Sequence, residues 1–428
     1  MAKFSRKTKE LLGMAGPGVI TGAADDDPSG IATYSQTGAQ FGYGQLWTAA
    51  FLLPFMTAVQ EAAARIGAVT GKGIAAVIKE YYRKEILWGV IALVLVANTI
   101  NIGADLGAMA AAARLVVPSI PFAVFTLLFT ALILLLEIFL SYKKYARVLK
   151  WLALALLAYP LTAILVAEPW GTLLRATFIP HLQFNFAFLF IITGVFGTTI
   201  SPYMFFWEAS EEIEEEGQKG MLKKDGVAPK ITKHFLRKLR IDNFSGMLVS
   251  EIATWSIIVV GATVLNAHGL TNIATSADAA RALQPLVHTF PDSGLIAKAL
   301  FSVGIIGLGL LAVPVLSASA SYAIAEAMNW REGLNLKLKR AHGFYGVITI
   351  ATIIGLTINF IGIDPVKALV FTAVANGVAA VPLIFVIAKI AGDGRIMGEH
   401  KSGWLSTVFV WATFAIMGAA AIAMFATL

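Results

Sequence analysis

The chain has 428 residues, of which 57% are hydrophobic and only 14% charged, with a mean hydropathy of +0.75. That composition excludes a soluble globular protein of this length and identifies a polytopic, all-α membrane protein. The net charge of +7 does not point to nucleic acid, because the basic residues fall in short loops between apolar runs, and zero cysteines exclude disulfides, thiolate metal ligands and thiol redox chemistry.

From the N-terminus, Lys3 to Lys9 and an apolar stretch resemble a secretory signal, but Gly16-Pro17-Gly18 and Asp25-Asp26-Asp27 interrupt the hydrophobic run, which is therefore read as a retained first span. Runs of roughly 20 apolar residues, the length that crosses about 30 Å of hydrocarbon, place spans near 12–39, 45–68, 87–113, 119–141, 146–167, 186–210, 243–266, 294–325, 342–361, 366–391 and 404–427, about eleven in all. Basic residues follow the even-numbered spans: Lys72, Lys79, Arg83 and Lys84; Lys143, Lys144, Arg147 and Lys150; Lys219 to Arg240; Arg331 to Arg340; Lys389, Arg395 and Lys401. The opposite loops offer little beyond Arg175 and Arg281, so the N-terminus is expected in the cytoplasm and the C-terminus outside, with a bacterial plasma membrane as the location.

Within span one, Asp25-Asp26-Asp27-Pro28-Ser29-Gly30 puts three carboxylates and two helix breakers at membrane depth. An acid there costs about 3 kcal/mol even on lenient scales and normally lines a path or a site, for which a cation is the natural counterpart. Span six carries the matching break, Gly197-Thr198-Thr199-Ile200-Ser201-Pro202-Tyr203, and spans five and ten share Tyr159-Pro160-Leu161 and Val381-Pro382-Leu383. Paired broken helices five spans apart are the pattern of an inverted-repeat transporter with a midplane site. The expected organisation is one transmembrane domain: residues 1–167 form the first repeat, 168–391 the second, and 392–428 one additional helix.

Those residues resemble the NRAMP divalent-metal transporters over essentially the whole chain. The likeness is carried by Gly16-Pro17-Gly18, Asp27-Pro28-Ser29-Gly30 and Gly38 to Tyr43, by Gln60 to Gly67 with Val69 to Gly73 in span two, and by Ser201-Pro202-Tyr203, where the family usually has Met-Pro-His. The resemblance implies a LeuT-like fold and a metal site of Asp27, Ala24, Gly30, Gly197, Ser201 and Tyr203. Gly30 stands where the family has asparagine, and Ser201 where it has the methionine whose soft sulfur favours transition metals. The oxygen-only set that remains suits Mg²⁺, Ca²⁺ and Mn²⁺ and resembles the magnesium-transporting branch of the family.

Asn101 and Ala104 fall where the family carries acids for proton coupling, and Tyr203 and Glu208 where it carries histidines, so uptake without protons is expected. Asp105 is a candidate substitute acid. Asp25 and Asp26 are assigned to the aqueous approach, or alternatively to capping the broken helix through a backbone N–H or a threonine. Glu208 is placed on the inner path, Glu211 to Glu216 in a solvated loop, and Thr372 and Asn376 beside the ion or in helix packing. Glu251, with Asp242 and Asn243, is either a gate contact or a buried structural group.

The expected function is import of Mg²⁺ and Mn²⁺ as partly hydrated ions by a monomer in the bilayer, with no cofactor and no nucleic-acid partner. Proton-coupled Mn²⁺ or Fe²⁺ uptake is the alternative, and an amino-acid or organic-cation symporter of the same fold is disfavoured because three aspartates would repel a substrate carboxylate. A sensor would call for a large signalling domain. No nucleophile, base and oxyanion constellation suggests an enzyme.

Overall fold

The computed structural model describes residues 21–22, 24–140, 154–166, 170–218, 220 and 231–428. Lys3 to Lys9, Gly16-Pro17-Gly18, the starts of spans one and five and the basic group Lys143 to Lys150 lie outside the described residues. Among the described residues every regular element is a helix. Seven helices are long and apolar enough to cross a membrane: Lys84–Val116, Phe122–Phe139, Phe186–Gly217, Lys233–His268, Ser293–Met328, Pro365–Gly392 and Trp404–Ala426. Among the described residues, helices also fall at the other four expected spans: Pro28–Phe41 after the break of span one, Trp47–Thr70 in span two, Ala158–Leu165 in span five and His342–Ile358 in span nine.

Local chemistry sets the helix starts. Asp364 accepts from the amides of Val366 and Lys367 ahead of Pro365 at the start of span ten, and Asn185 caps span six through the Phe188 amide. At the start of the outer half of span one, Asp27 takes the cap position with Pro28 following it, which is why the helix breaks there. Pro314 and Pro382, by contrast, sit inside continuous helices.

Close packing relies on glycine at two backbone approaches that frame the site. A Cβ on Gly197 would lie 2.0 Å from the Ala373 carbonyl oxygen and 2.2 Å from the Gly377 amide, so spans six and ten touch backbone to backbone. A Cβ on Gly22 would lie 2.4 Å from the Gly246 carbonyl, which docks the inner half of span one directly on span seven. In a bilayer, where apolar side chains gain nothing by leaving lipid, such small-residue contacts are a principal source of helix association. Spans three, four, eight and nine share a second buried cluster, including Met109, Ile133, Leu316 and Phe344, which also takes in Tyr203, Met204 and Trp207 from span six.

One expectation is corrected here. Span six does not end near residue 210 in a solvated loop: its inner half runs as a helix over Pro202–Gln218, and Glu212 and Glu216 are buried. Residues 208, 212 and 216 repeat every four positions, so one helical face turned inward carries all three acids.

Candidate functional site

The two breaks face each other. Span one is interrupted at Asp26 and Asp27, span six at Ile200 and Ser201, and Ser29 Oγ lies 3.5 Å from Thr198 Oγ1 across the gap. Tyr34 Oη and Thr199 Oγ1, 2.9 Å apart, make a second cross-link on the outer side. Asp27 is 1% exposed. Its Oδ1 accepts from the Ser29 hydroxyl at 2.6 Å and the Gly30 amide at 2.8 Å, and its Oδ2 accepts from Asn101 Nδ2 of span three at 2.9 Å. These donors hold the carboxylate in one orientation, with two of them on Oδ1, and leave a lone pair on Oδ2 for a cation.

The other expected site residues pair with one another. Tyr203 Oη donates to the Ala24 carbonyl at 3.0 Å, and Ser201 Oγ donates to the carbonyls of Gly197 at 2.6 Å and Thr198 at 3.0 Å. Ala24, Gly197, Ser201 and Tyr203 therefore surround the break in hydrogen-bonded pairs, each oxygen keeping acceptor capacity of its own. Gly30 contributes its amide, and its missing side chain leaves space between Thr198 and Tyr34. Among the described residues no three carboxylate or imidazole side chains converge closely enough to ligate one bare ion.

The path residues divide into three groups. Asp25 and Asp26 both accept from the Ser250 hydroxyl of span seven, and among the described residues the bonds found at them are to that hydroxyl and not to a helix-capping backbone N–H or threonine. Asp105 is fully buried one turn along span three from Asn101, and neither of its oxygens has a hydrogen-bond partner. Glu208 accepts from Thr21 at the inner half of span one. Thr372 bonds back to the Leu369 carbonyl at 2.7 Å, whereas Asn376 is buried with its Nδ2 unpartnered, next to the Gly377 that meets the span-six break.

Sequence reasoning missed Asn101, Ser29 and Ser250 as contributors. Asn101 carried a usable signal, since it lies one turn from the intramembrane Asp105, but it was noted only as a lost acid. Ser250 sits beside Glu251 at membrane depth, which was a second available clue.

At the end of span one's helix Pro28–Phe41, a cavity of about 260 Å³ is lined by Gln36, Phe190, Asn272, Lys367 and Phe371 among others. Gln36 ties its floor to the loop after span seven, donating to the Thr271 carbonyl at 3.2 Å and accepting from the Ile273 amide at 2.8 Å. At the other end of the molecule, Glu214 accepts from Tyr322, from the Leu334 amide at 2.8 Å and from Asn335, fastening the helix Pro202–Gln218 of span six to span eight and the loop behind it. On that loop, burial and then the nearby Glu326 and Glu214 carboxylates push the Glu332 pKa up from 4.5 to about 10.

Comparison with known proteins agrees with this geometry. The chain is similar to a divalent metal cation transporter MntH of Ralstonia nicotianae, 24% identical, with 96% of this chain and 90% of that protein covered. A crystal structure of the Eremococcus coleocola manganese transporter, in complex with an aromatic bis-isothiourea substituted compound, superposes with a TM-score of 0.74 at 16% identity, covering 97% of this chain and 86% of that one. A structure of MhsT in complex with L-phenylalanine gives a TM-score of 0.58 at 14% identity over 96% of this chain and 98% of that one, which extends the fold to LeuT-like transporters. The family model described as natural resistance-associated macrophage protein-like matches residues 18–427, and on that match the chain belongs to the NRAMP family.

Proposed function

We propose that the chain imports divalent cations, Mg²⁺ together with Mn²⁺, as partly hydrated ions by alternating access and without proton coupling. It acts as a monomer in a bacterial plasma membrane, N-terminus in the cytoplasm and C-terminus outside. Membership of the family makes it a transporter rather than an enzyme, and divalent metal is the cargo named for the relatives. The observation that carries the reading is Asp27, a buried carboxylate held at the break of span one by Ser29, Gly30 and Asn101.

The donor chemistry favours hard ions. The groups hydrogen-bonded at Asp27 are Ser29, Gly30 and Asn101, and Ser201 stands where a thioether would, so the oxygens around it suit Mg²⁺ and Mn²⁺ over softer metals. One carboxylate with neutral neighbours suits an ion that keeps much of its water, as Mg²⁺ does. Protons are not needed energetically, because a divalent ion moving inward gains about 4.6 kcal/mol per 100 mV, enough for accumulation of roughly a thousandfold or more.

The competing reading, proton-coupled Mn²⁺ or Fe²⁺ uptake, draws on the manganese named for the solved relative and on Asp105, an acid on span three near Asp27. The deciding experiment is Mg²⁺ entry into proteoliposomes carrying an internal indicator, at a fixed inward-negative voltage and no pH gradient, for wild type and Asp27→Ala. Uptake that vanishes with Asp27 is the expected result. No Mg²⁺ uptake, with Mn²⁺ uptake that requires a proton gradient, would replace this reading with the competing one.

A further inference from the structure

Inward of Asp27, three more carboxylates meet at the contact between spans one and seven. Asp25 and Asp26 share the Ser250 hydroxyl, and Glu251, the next residue on span seven, has these two aspartates as its charged neighbours. All three acids are buried. Asp25 Oδ1 and both carboxylate oxygens of Glu251 lack any hydrogen-bond partner, and among the described residues none of the three has a basic partner.

A single serine proton cannot satisfy this group. Buried carboxylates persist when they are paired, hydrogen-bonded or bound to metal, and isolated ones are strongly disfavoured in a low-dielectric interior. A divalent ion at Asp27 neutralises Asp27 and at most one neighbour, so the cluster on span seven is left to hold protons or a cation of its own. Packing leaves no doubt that the acids were brought here together: Gly22 meets Gly246 backbone to backbone one turn below Ser250, fixing the register of span one against span seven.

We propose that Asp25, Asp26, Ser250 and Glu251 form a second cation station, inward of Asp27, that takes a hydrated divalent ion on its way to the cytoplasm. The inference rests on the reading of Asp27 as the transport site. No three carboxylates close to inner-sphere distance, so the ion is held here partly through its water, Glu251 supplying two acceptors and Asp25 a third. Further in, the same side of the molecule offers Glu208 beside Thr21 and, four and eight residues along its helix, the buried Glu212 and Glu216. A cation leaving the station therefore meets acceptors at each turn.

The test counts bound Mn²⁺ on the purified full-length protein by the electron-spin-resonance signal of the free ion. Wild type is expected to bind two ions per chain, and Glu251→Gln and Asp27→Ala one each. Ser250→Ala keeps every carboxylate, so it reports even if Glu251→Gln does not fold; it is expected to weaken the second ion at least threefold. One ion in wild type that is lost in Asp27→Ala and untouched by Glu251→Gln or Ser250→Ala overturns the second station and leaves the transport site standing. No bound ion in wild type overturns both.

Discussion

Asn101 of span three donates its side-chain amide to Asp27 Oδ2 of span one at 2.9 Å, bridging the broken helix and the helix behind it. A hydrogen bond to a charged group contributes about 1.5–3 kcal/mol. Asn101→Ala frees one carboxylate oxygen to rotate, so the apparent affinity for Mg²⁺ is expected to fall roughly tenfold while the fold is retained. The concentration dependence of uptake in proteoliposomes checks it; an unchanged half-saturation would show that Ser29 and Gly30 orient the carboxylate unaided.

Ser201 donates to the carbonyls of Gly197 and Thr198 within its own break. Ser201→Met removes both bonds and introduces a thioether, which shifts preference toward softer ions. Competition between Mg²⁺ and Cd²⁺ for uptake is expected to move in favour of Cd²⁺. An unaltered ratio would mean that position 201 does not face the ion.

The contact of Gly197 with Ala373 and Gly377 leaves no room for a methyl group, whereas a Cβ on Gly89 in span three would meet nothing within 4 Å. Gly197→Ala is expected to cost about 1–3 kcal/mol or more, because backbone has to move. Gly89→Ala is expected to be neutral or mildly stabilising, since glycine inside a helix costs about 0.5–1 kcal/mol relative to alanine. Thermal unfolding of the two purified variants compares them directly; equal stability would discount the backbone contact.

Glu332 supplies a pH dependence of known sign. Its pKa is raised from 4.5 to about 10 by burial and neighbouring acids, so the folded protein prefers it protonated. The opposing penalty is absent below the unfolded value and grows as pH rises above it, because the unfolded chain then gives up the proton first. Glu332→Gln should therefore raise the melting temperature at pH 7.5 and leave it nearly unchanged at pH 4. A shift of equal size at both pH values would assign the effect to packing instead.

Much of this was legible from residue order alone. Asp27-Pro28 announces both the break and the helix start, since a carboxylate cap followed by proline at the first helical position is a local rule. Apolar run lengths placed the spans because the bilayer fixes them. The acids after residue 210 were misread because composition alone does not separate a solvated charged segment from a helix whose charged face turns toward other helices. The partners of Asp25 and Asp26 lie more than 220 positions away on span seven, and nothing local encodes such a pairing. Nor did the short oxygen list expected around the ion foresee that Tyr203 and Ala24, or Ser201 and Gly197, would hydrogen-bond to each other.

Where Gly22 lies against Gly246, no side chain stands between the two helices. Sliding the inner half of span one by a single residue would bring Thr21 or Ala23 to a place that admits only hydrogen. Lengthwise travel is thus blocked, and the segment can leave its seat only by tilting away from it. Tilting parts Thr21 from Glu208 and draws Asp25 and Asp26 off Ser250 in the same stroke. Two glycines thereby confine this segment to a swing, so that its contacts release together and not one after another.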